Sequence, residues 1–314
     1  MEDFASAAMV RALAQGMRDE GLQPPAPIQQ AAVGAAQVPL DAKRAIVMAA
    51  VEQAGFACLP RLGRGLHKLA GEPTHRALCS AVDAPDLFRR WLRLERYVHS
   101  RHRVEILDHA ECAAILKHVS LGSEPPSAAE DLVVLGVLAA LLEAIGLTEV
   151  AITLDDVPVY PQADAAALAQ RIRIGQTACW SFRWHGAART AAAPAPAAAV
   201  PTLADDAWPP LAREACNLLA RDLLVPKRVA ELAQALGLAT RSLQRGLQQA
   251  GLTYSDLLAE ARCRTGSWWL VHTAAPVTEV GFVSGYADQP HFTRDFKARV
   301  GLTPARFREE FGQA

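Results

Sequence analysis

Residues Pro276 to Gly301 read PVTEVGFVSGYADQPHFTRDFKARVG, and this stretch decides the fold of the C-terminal third of the chain. Val277, Val280 and Gly281 make a small inward face at helical spacing, and Gly285-Tyr286 mark a turn. A second helix then buries Phe292 and Phe296 while exposing Gln289, His291, Thr293, Arg294 and Lys297. Glu279 lies in the first turn of its helix, where a negative charge opposes the positive end of the helix dipole. The pattern describes a helical hairpin whose second helix carries polar and cationic side chains outward.

The same pattern stands upstream, where Pro226 to Gly251 read PKRVAELAQALGLATRSLQRGLQQAG. Pro226 suits the first turn of a helix, with Val229, Leu232, Ala233 and Leu236 as its apolar face. Gly237 permits the left-handed backbone that ends this helix, and Leu238 anchors the turn. Thr240 is the expected cap of a second helix with Leu243 and Leu247 inward and Arg241, Gln244, Arg245 and Gln248 outward. Arginine forks and glutamine amides are the groups that pair with guanine, adenine and phosphate edges. Tyr254 to His272 is predicted as a connecting helix, about 28 Å long at 1.5 Å per residue. That length suits two recognition helices placed in successive major grooves about 34 Å apart.

Residues 210 to 311 resemble the AraC/XylS family of bacterial transcription regulators. The most diagnostic matches are Gly285, Tyr286, Asp288, Phe292, Arg294, Phe296, Lys297, Gly301, Pro304, Phe307 and Arg308. Leu243 and Arg245 match the first hairpin of the family, and Arg262 matches its connecting helix. The resemblance implies that Arg241, Gln244, Arg245, Gln289, His291 and Arg294 face DNA, alongside the outward Gln248, Thr293 and Lys297. It also implies double-stranded DNA and RNA polymerase as partners, a homodimer, and an activator's role. Gly266 and Gly281 stand where the family has alanine, and Pro290 replaces a small polar residue. A glycine inside a helix costs about 1 kcal/mol relative to alanine.

Charge agrees once it is divided by region. The 314-residue chain has 32 basic and 33 acidic side chains, a net of −1 that by itself argues against nucleic acid. Between 227 and 308, however, eleven basic residues face six acidic ones, a net of +5 that favours phosphate contacts. The longest uncharged apolar stretch, Leu132 to Leu142, has 11 residues, whereas spanning a bilayer takes about 20. The acidic start, MEDFASAAMV, is unlike a secretory signal. Six cysteines stand singly without a C-x-x-C pair, as expected for reduced thiols in the cytoplasm.

Ala187 to Pro210, rich in alternating alanine and proline, reads as a tether between domains 1–186 and 211–314. The first domain is predicted as α+β, a mixed sheet with covering helices, joined through the tether to an all-α double helix-turn-helix domain. Helical spacing covers residues 6 to 19, 41 to 54 and 86 to 99. Arg103 to Asp108 and Ala113 to Ser120 read as two strands of a hairpin around His109-Ala110-Glu111. Ser127 and Glu130 form a capping signature for a long apolar helix that Gly146 ends. Glu149 to Leu154 and Cys179 to Trp184 are further strands, and Pro158 assigns Asp155-Asp156 to a turn.

The segment from Arg89 to Val119 is similar to the arabinose-binding-like domain of one AraC subfamily, which implies effector sensing, dimerisation, or both. The candidate effector residues are Trp91, Arg96, His99 and Trp180; Arg93, His102, His109 and His118 are further polar groups nearby. Trp91, Trp180, Phe182 and Trp184 read either as a pocket wall or as ordinary core. An alternative makes the first domain a dimerisation or protein-interaction module without an effector. No metal site, cofactor or catalytic constellation is read from the chain, so no enzymatic activity is expected.

Overall fold

A computed structural model describes residues 4–25, 37–68, 73–98, 102–186 and 208–312. The chain divides into two compact units, 1–192 and 193–314. Most of the expected tether, residues 187–207, lies outside the described residues.

The first unit is built on a five-stranded sheet. Its strands are β3 (His102–Ala110), β4 (Ala113–Ser120), β5 (Thr148–Leu154), β6 (Val157–Tyr160) and β7 (Cys179–His185). A separate small sheet pairs β1 (Phe4–Ser6) with β2 (Gln37–Pro39). The larger sheet has the order β3-β4-β7-β5-β6, and all four pairings are antiparallel. β4 and β5 run parallel, as a crossover through the intervening helix requires, but β7 inserts between them and leaves no parallel pair. The β3–β4 turn falls at Glu111-Cys112 and not at His109-Ala110-Glu111. A bulge between Ile106 and Asp108 shifts the register, so His109 and Ala110 still pair.

Alternation of side chains gives the sheet one buried face. Ala114, Leu116 and His118 of β4 and Trp180, Phe182 and Trp184 of β7 point inward. Trp180, Phe182 and Trp184 are all buried. Phe88, from α4 (Ala84–Val98), meets the edges of both Phe182 and Trp184.

The central helix α5 (Ala128–Ala144) has the expected cap: the Ser127 side chain accepts from Glu130 N–H, and Glu130 accepts from Ser127 N–H at 2.9 Å. Every residue from Leu132 to Leu142 is buried. Around α5 pack α2 (Leu40–Ala54), α3 (Pro73–Cys79) and a 3-10 helix at Phe56–Lys68 that the sequence pattern did not announce, with α1 (Ala7–Asp19) on the other side of the 3-10 helix. Its outer end is held by Arg64, which donates to Glu143 at 2.9 Å and to the Tyr160 hydroxyl at 2.8 Å. α6 (Ala165–Arg173), capped by Asp164, completes the unit.

The second unit is all helical: α7 (Pro210–Ala220), α8 (Val229–Ala235), α9 (Thr240–Gln249), α10 (Tyr254–His272), α11 (Val277–Val283), α12 (Gln289–Val300) and α13 (Pro304–Phe311). Two apolar clusters share α10 as their spine. Leu257 and Ala261 join Leu232, Leu243, Leu247 and Leu219 in one, and Cys263 and Leu270 join Val280, Tyr286, Phe292 and Phe296 in the other. Two sequence details are corrected. Pro226 precedes α8 by three residues, and Ala239, not Thr240, is the N-cap residue of α9.

Candidate nucleic-acid interface

The two helix-turn-helix hairpins are α8–α9 and α11–α12. In α9 the apolar pair Leu243 and Leu247 is buried, which turns Arg241, Gln244, Arg245 and Gln248 to solvent. In α12 the buried pair is Phe292 and Phe296, and Gln289, Arg294 and Lys297 are exposed while His291 and Thr293 are half-buried. A 3.6-residue period fixes both arrangements, because one buried stripe leaves one polar face.

The ends of these helices are fixed locally. Asp288 accepts the His291 N–H at 2.7 Å and starts α12. The turn before it depends on Gly285, whose φ is +80° and whose missing β-carbon makes room for the Leu223 backbone. Thr253 and Asp256 form the reciprocal cap of α10. Tyr286 donates its hydroxyl proton to Asp295 at 3.0 Å, and burial together with that carboxylate raises the phenol above its usual range. The Arg262 guanidinium lies 5.9 Å from the centre of the Tyr286 ring.

Several cations of the unit are tied into it by side chains or backbone. Arg264 is paired with Glu260, Arg299 with Asp295 at 3.2 Å, and Arg306 with Glu309 at 3.2 Å. Arg308 donates to the backbone oxygens of Leu270 and Ala275, so this motif arginine clamps α13 onto the end of α10. Arg241, Arg245, Arg294 and Lys297 have no hydrogen bond or ion pair among the described residues. Exposed guanidinium and ammonium groups held on rigid helices without internal partners can take phosphates or base edges. Two of the candidates are partly engaged: Gln289 accepts from the Thr278 hydroxyl at 3.4 Å, and the His291 ring lies 5.3 Å from that of Tyr286.

A family profile described as "Helix-turn-helix domain" matches residues 232–310. Residues 232–310 of the C-terminal unit thus carry a helix-turn-helix domain. The chain is 33% identical over 79 residues to the ornithine utilization regulator of Pseudomonas aeruginosa, covering 25% of this chain and 23% of that protein. It is 28% identical over 82 residues to the transcriptional activator NphR of a Rhodococcus species, covering 26% of this chain and 24% of that one. Each match thus spans about a quarter of the relative's length. Among solved structures, an AraC-type regulator from Chromobacterium violaceum is 25% identical with a TM-score of 0.31, covering 33% of this chain and 94% of its own. The transcriptional regulator CdpR of Pseudomonas aeruginosa is 15% identical with a TM-score of 0.37, covering 95% of this chain and 97% of its own.

The effector candidates of the first unit are not brought together as free groups. Trp91 is buried and donates its indole N–H to Glu95 at 2.8 Å. Trp180 is buried and donates to the Thr177 carbonyl at 2.7 Å. The Arg96 side chain and all of His99 lie outside the described residues. His109 is exposed near the end of β3, whereas His102 and His118 stand side by side with ring centres 5.3 Å apart. No helix among the described residues is long and apolar enough to cross a membrane.

Proposed function

We propose that this chain is a sequence-specific transcription regulator that binds double-stranded DNA through α9 and α12, set in successive major grooves. The carrying observation is the set of four unpaired cations, Arg241, Arg245, Arg294 and Lys297, on the outward faces of two capped recognition helices. Gln244, Gln248, Gln289, His291 and Thr293 supply the remaining base and backbone contacts.

In the same proposal, residues 1–186 sense a small molecule and hold a homodimer, 187–210 tether the parts, and 211–314 read DNA. The protein works in the cytoplasm as a ligand-responsive activator that contacts RNA polymerase, and it catalyses no reaction. One relative is named a transcriptional activator and another a regulator of ornithine utilization, and both names support this direction.

Selection of DNA sites by the full chain, followed by footprinting, tests the proposal. The expected result is a selected sequence protected in two patches about 10 base pairs apart, one per recognition helix. Recovery of random sequence, or protection that ignores sequence, would overturn it.

A further inference from the structure

The first turn of α12 carries an exposed side chain whose orientation is set from the helix packed behind it. Gln289 is the first residue of α12 and is exposed. Its amide oxygen accepts from the Thr278 hydroxyl at 3.4 Å. Thr278 belongs to α11, the first helix of the same hairpin, and is only 7% exposed. Gln289 is the one side-chain partner of that hydroxyl among the described residues, and the Gln289 amide nitrogen has none.

Which end of the amide faces inward follows from the hydroxyl. A buried O–H has one proton to place, and leaving it without an acceptor is costly. An amide turned the other way would donate to the hydroxyl oxygen, and the hydroxyl proton would then lose its acceptor. The oxygen of Gln289 is therefore committed to Thr278, and its N–H donors are the part left for the outside.

That choice has a consequence for base reading. Glutamine takes adenine with both ends of its amide, the oxygen on the N6 amino group and the nitrogen on N7. With the oxygen held inward, only donors face the groove. Guanine offers them two acceptors, O6 and N7, whereas adenine offers one acceptor beside an amino group that repels them. The rest of the turn does not replace the missing oxygen. Pro290 has no hydrogen-bonding side chain, and the half-buried His291 ring lies 5.3 Å from that of Tyr286.

We propose that Thr278 is a positioning residue for base recognition: by holding the Gln289 amide oxygen, it makes the N-terminal end of α12 select guanine over adenine at one base pair. The assignment rests on the DNA-reading role proposed for α12 and names the base that this contact takes.

Selection of sites from random duplexes by the full chain tests it, repeated with Gln289→Ala, Thr278→Val and Thr278→Ser. Gln289→Ala locates the position, because preference is lost there and kept elsewhere. At that position the unsubstituted chain is expected to favour guanine over adenine by about tenfold, within the range of one good base contact. Thr278→Val keeps the shape of the side chain but frees the amide to turn, so the ratio is expected to fall to about threefold or less. Thr278→Ser retains the hydroxyl and is expected to keep the ratio. A purely structural role for Thr278 would instead weaken binding to all sequences alike and leave the ratio unchanged. Thr278→Ala takes the place of Thr278→Val should the latter not fold. Adenine at the Gln289 position, an unchanged ratio in Thr278→Val, or no position that depends on Gln289 overturns the assignment while a shared selected sequence keeps the regulator reading. No shared sequence from the unsubstituted chain overturns both.

Discussion

Gly63 and Gly136 meet backbone to backbone: a β-carbon on Gly63 would overlap the Gly136 carbonyl, and one on Gly136 would overlap the Pro60 carbonyl. Gly16 and Gly65 repeat the relationship on the other side of the 3-10 helix, against Leu62 and Ala12. That helix is therefore sandwiched between α1 and α5 at a distance only glycine allows. Gly136→Ala is expected to destabilise the first unit by about 2 kcal/mol or more, since the obstructing atoms are backbone and cannot rotate away. Urea unfolding followed by the fluorescence of the first unit's tryptophans measures this. An unchanged midpoint would mean that the helices separate without cost.

Phe292 makes opposite predictions for two other glycines. At Gly266 an added β-carbon would lie 3.2 Å from the edge of the Phe292 ring, which can tilt by a few tenths of an ångström. At Gly281 it would lie 3.0 Å from Cδ1 and 3.3 Å from Cβ of the same residue, and Cβ is fixed to the backbone. Alanine gains about 1 kcal/mol in helix propensity at either site. Gly266→Ala is thus expected to raise the melting temperature and Gly281→Ala to lower it. Shifts of the same sign in both would contradict the geometry.

Arginines of equal charge separate DNA contact from structure. Arg245→Ala and Arg294→Ala should each weaken specific binding by roughly 1–3 kcal/mol, and Lys297→Ala should lower the salt slope by about 1. Arg299→Ala, already engaged with Asp295, should leave affinity within about threefold, or roughly 0.7 kcal/mol. Arg308→Ala should lower stability first, because it unties α13 from the end of α10. Fluorescence anisotropy across a salt series, with thermal melting for Arg308→Ala, distinguishes the five. Equal losses in Arg294→Ala and Arg299→Ala would leave no special role for the outward face of α12.

What was legible in the sequence follows from local physics. Leu243 and Leu247, or Phe292 and Phe296, announce a buried stripe by spacing alone, and Ser127 with Glu130 announces a helix start. The 3-10 helix was not legible because Pro60, Gly63 and Gly65 are residues that ordinarily mark a turn, while here they permit close approach. Nor does any local pattern tell β7 to insert between β4 and β5, since strand partners are chosen by the tertiary fold. The acceptors of the Trp91 and Trp180 indoles, Glu95 and the Thr177 carbonyl, lie within about a turn of chain, yet no sequence pattern marks them as such. Four unpaired cations could be named from sequence as outward, but their lack of partners could not.

Glu95 makes the stability of the first unit depend on pH in an unusual direction. It is 2% exposed and accepts the Trp91 indole N–H at 2.8 Å and the Val104 backbone N–H at 3.0 Å. Burial outweighs these bonds and raises its carboxyl from 4.5 to about 7. The folded unit therefore binds this proton more tightly than the unfolded chain does. Its contribution is complete below the unfolded value and is lost as pH rises from about 4.5 to about 7, a change on the order of 2–3 kcal/mol. Glu95→Gln cannot ionise, and its single oxygen can accept from both donors, because Oε1 of Glu95 already lies 3.2 Å from Val104 N. The variant is expected to lose less stability than the unsubstituted chain between pH 5 and pH 7. Urea midpoints measured at both pH values decide the matter: identical declines in the two proteins would assign the pH dependence to other groups.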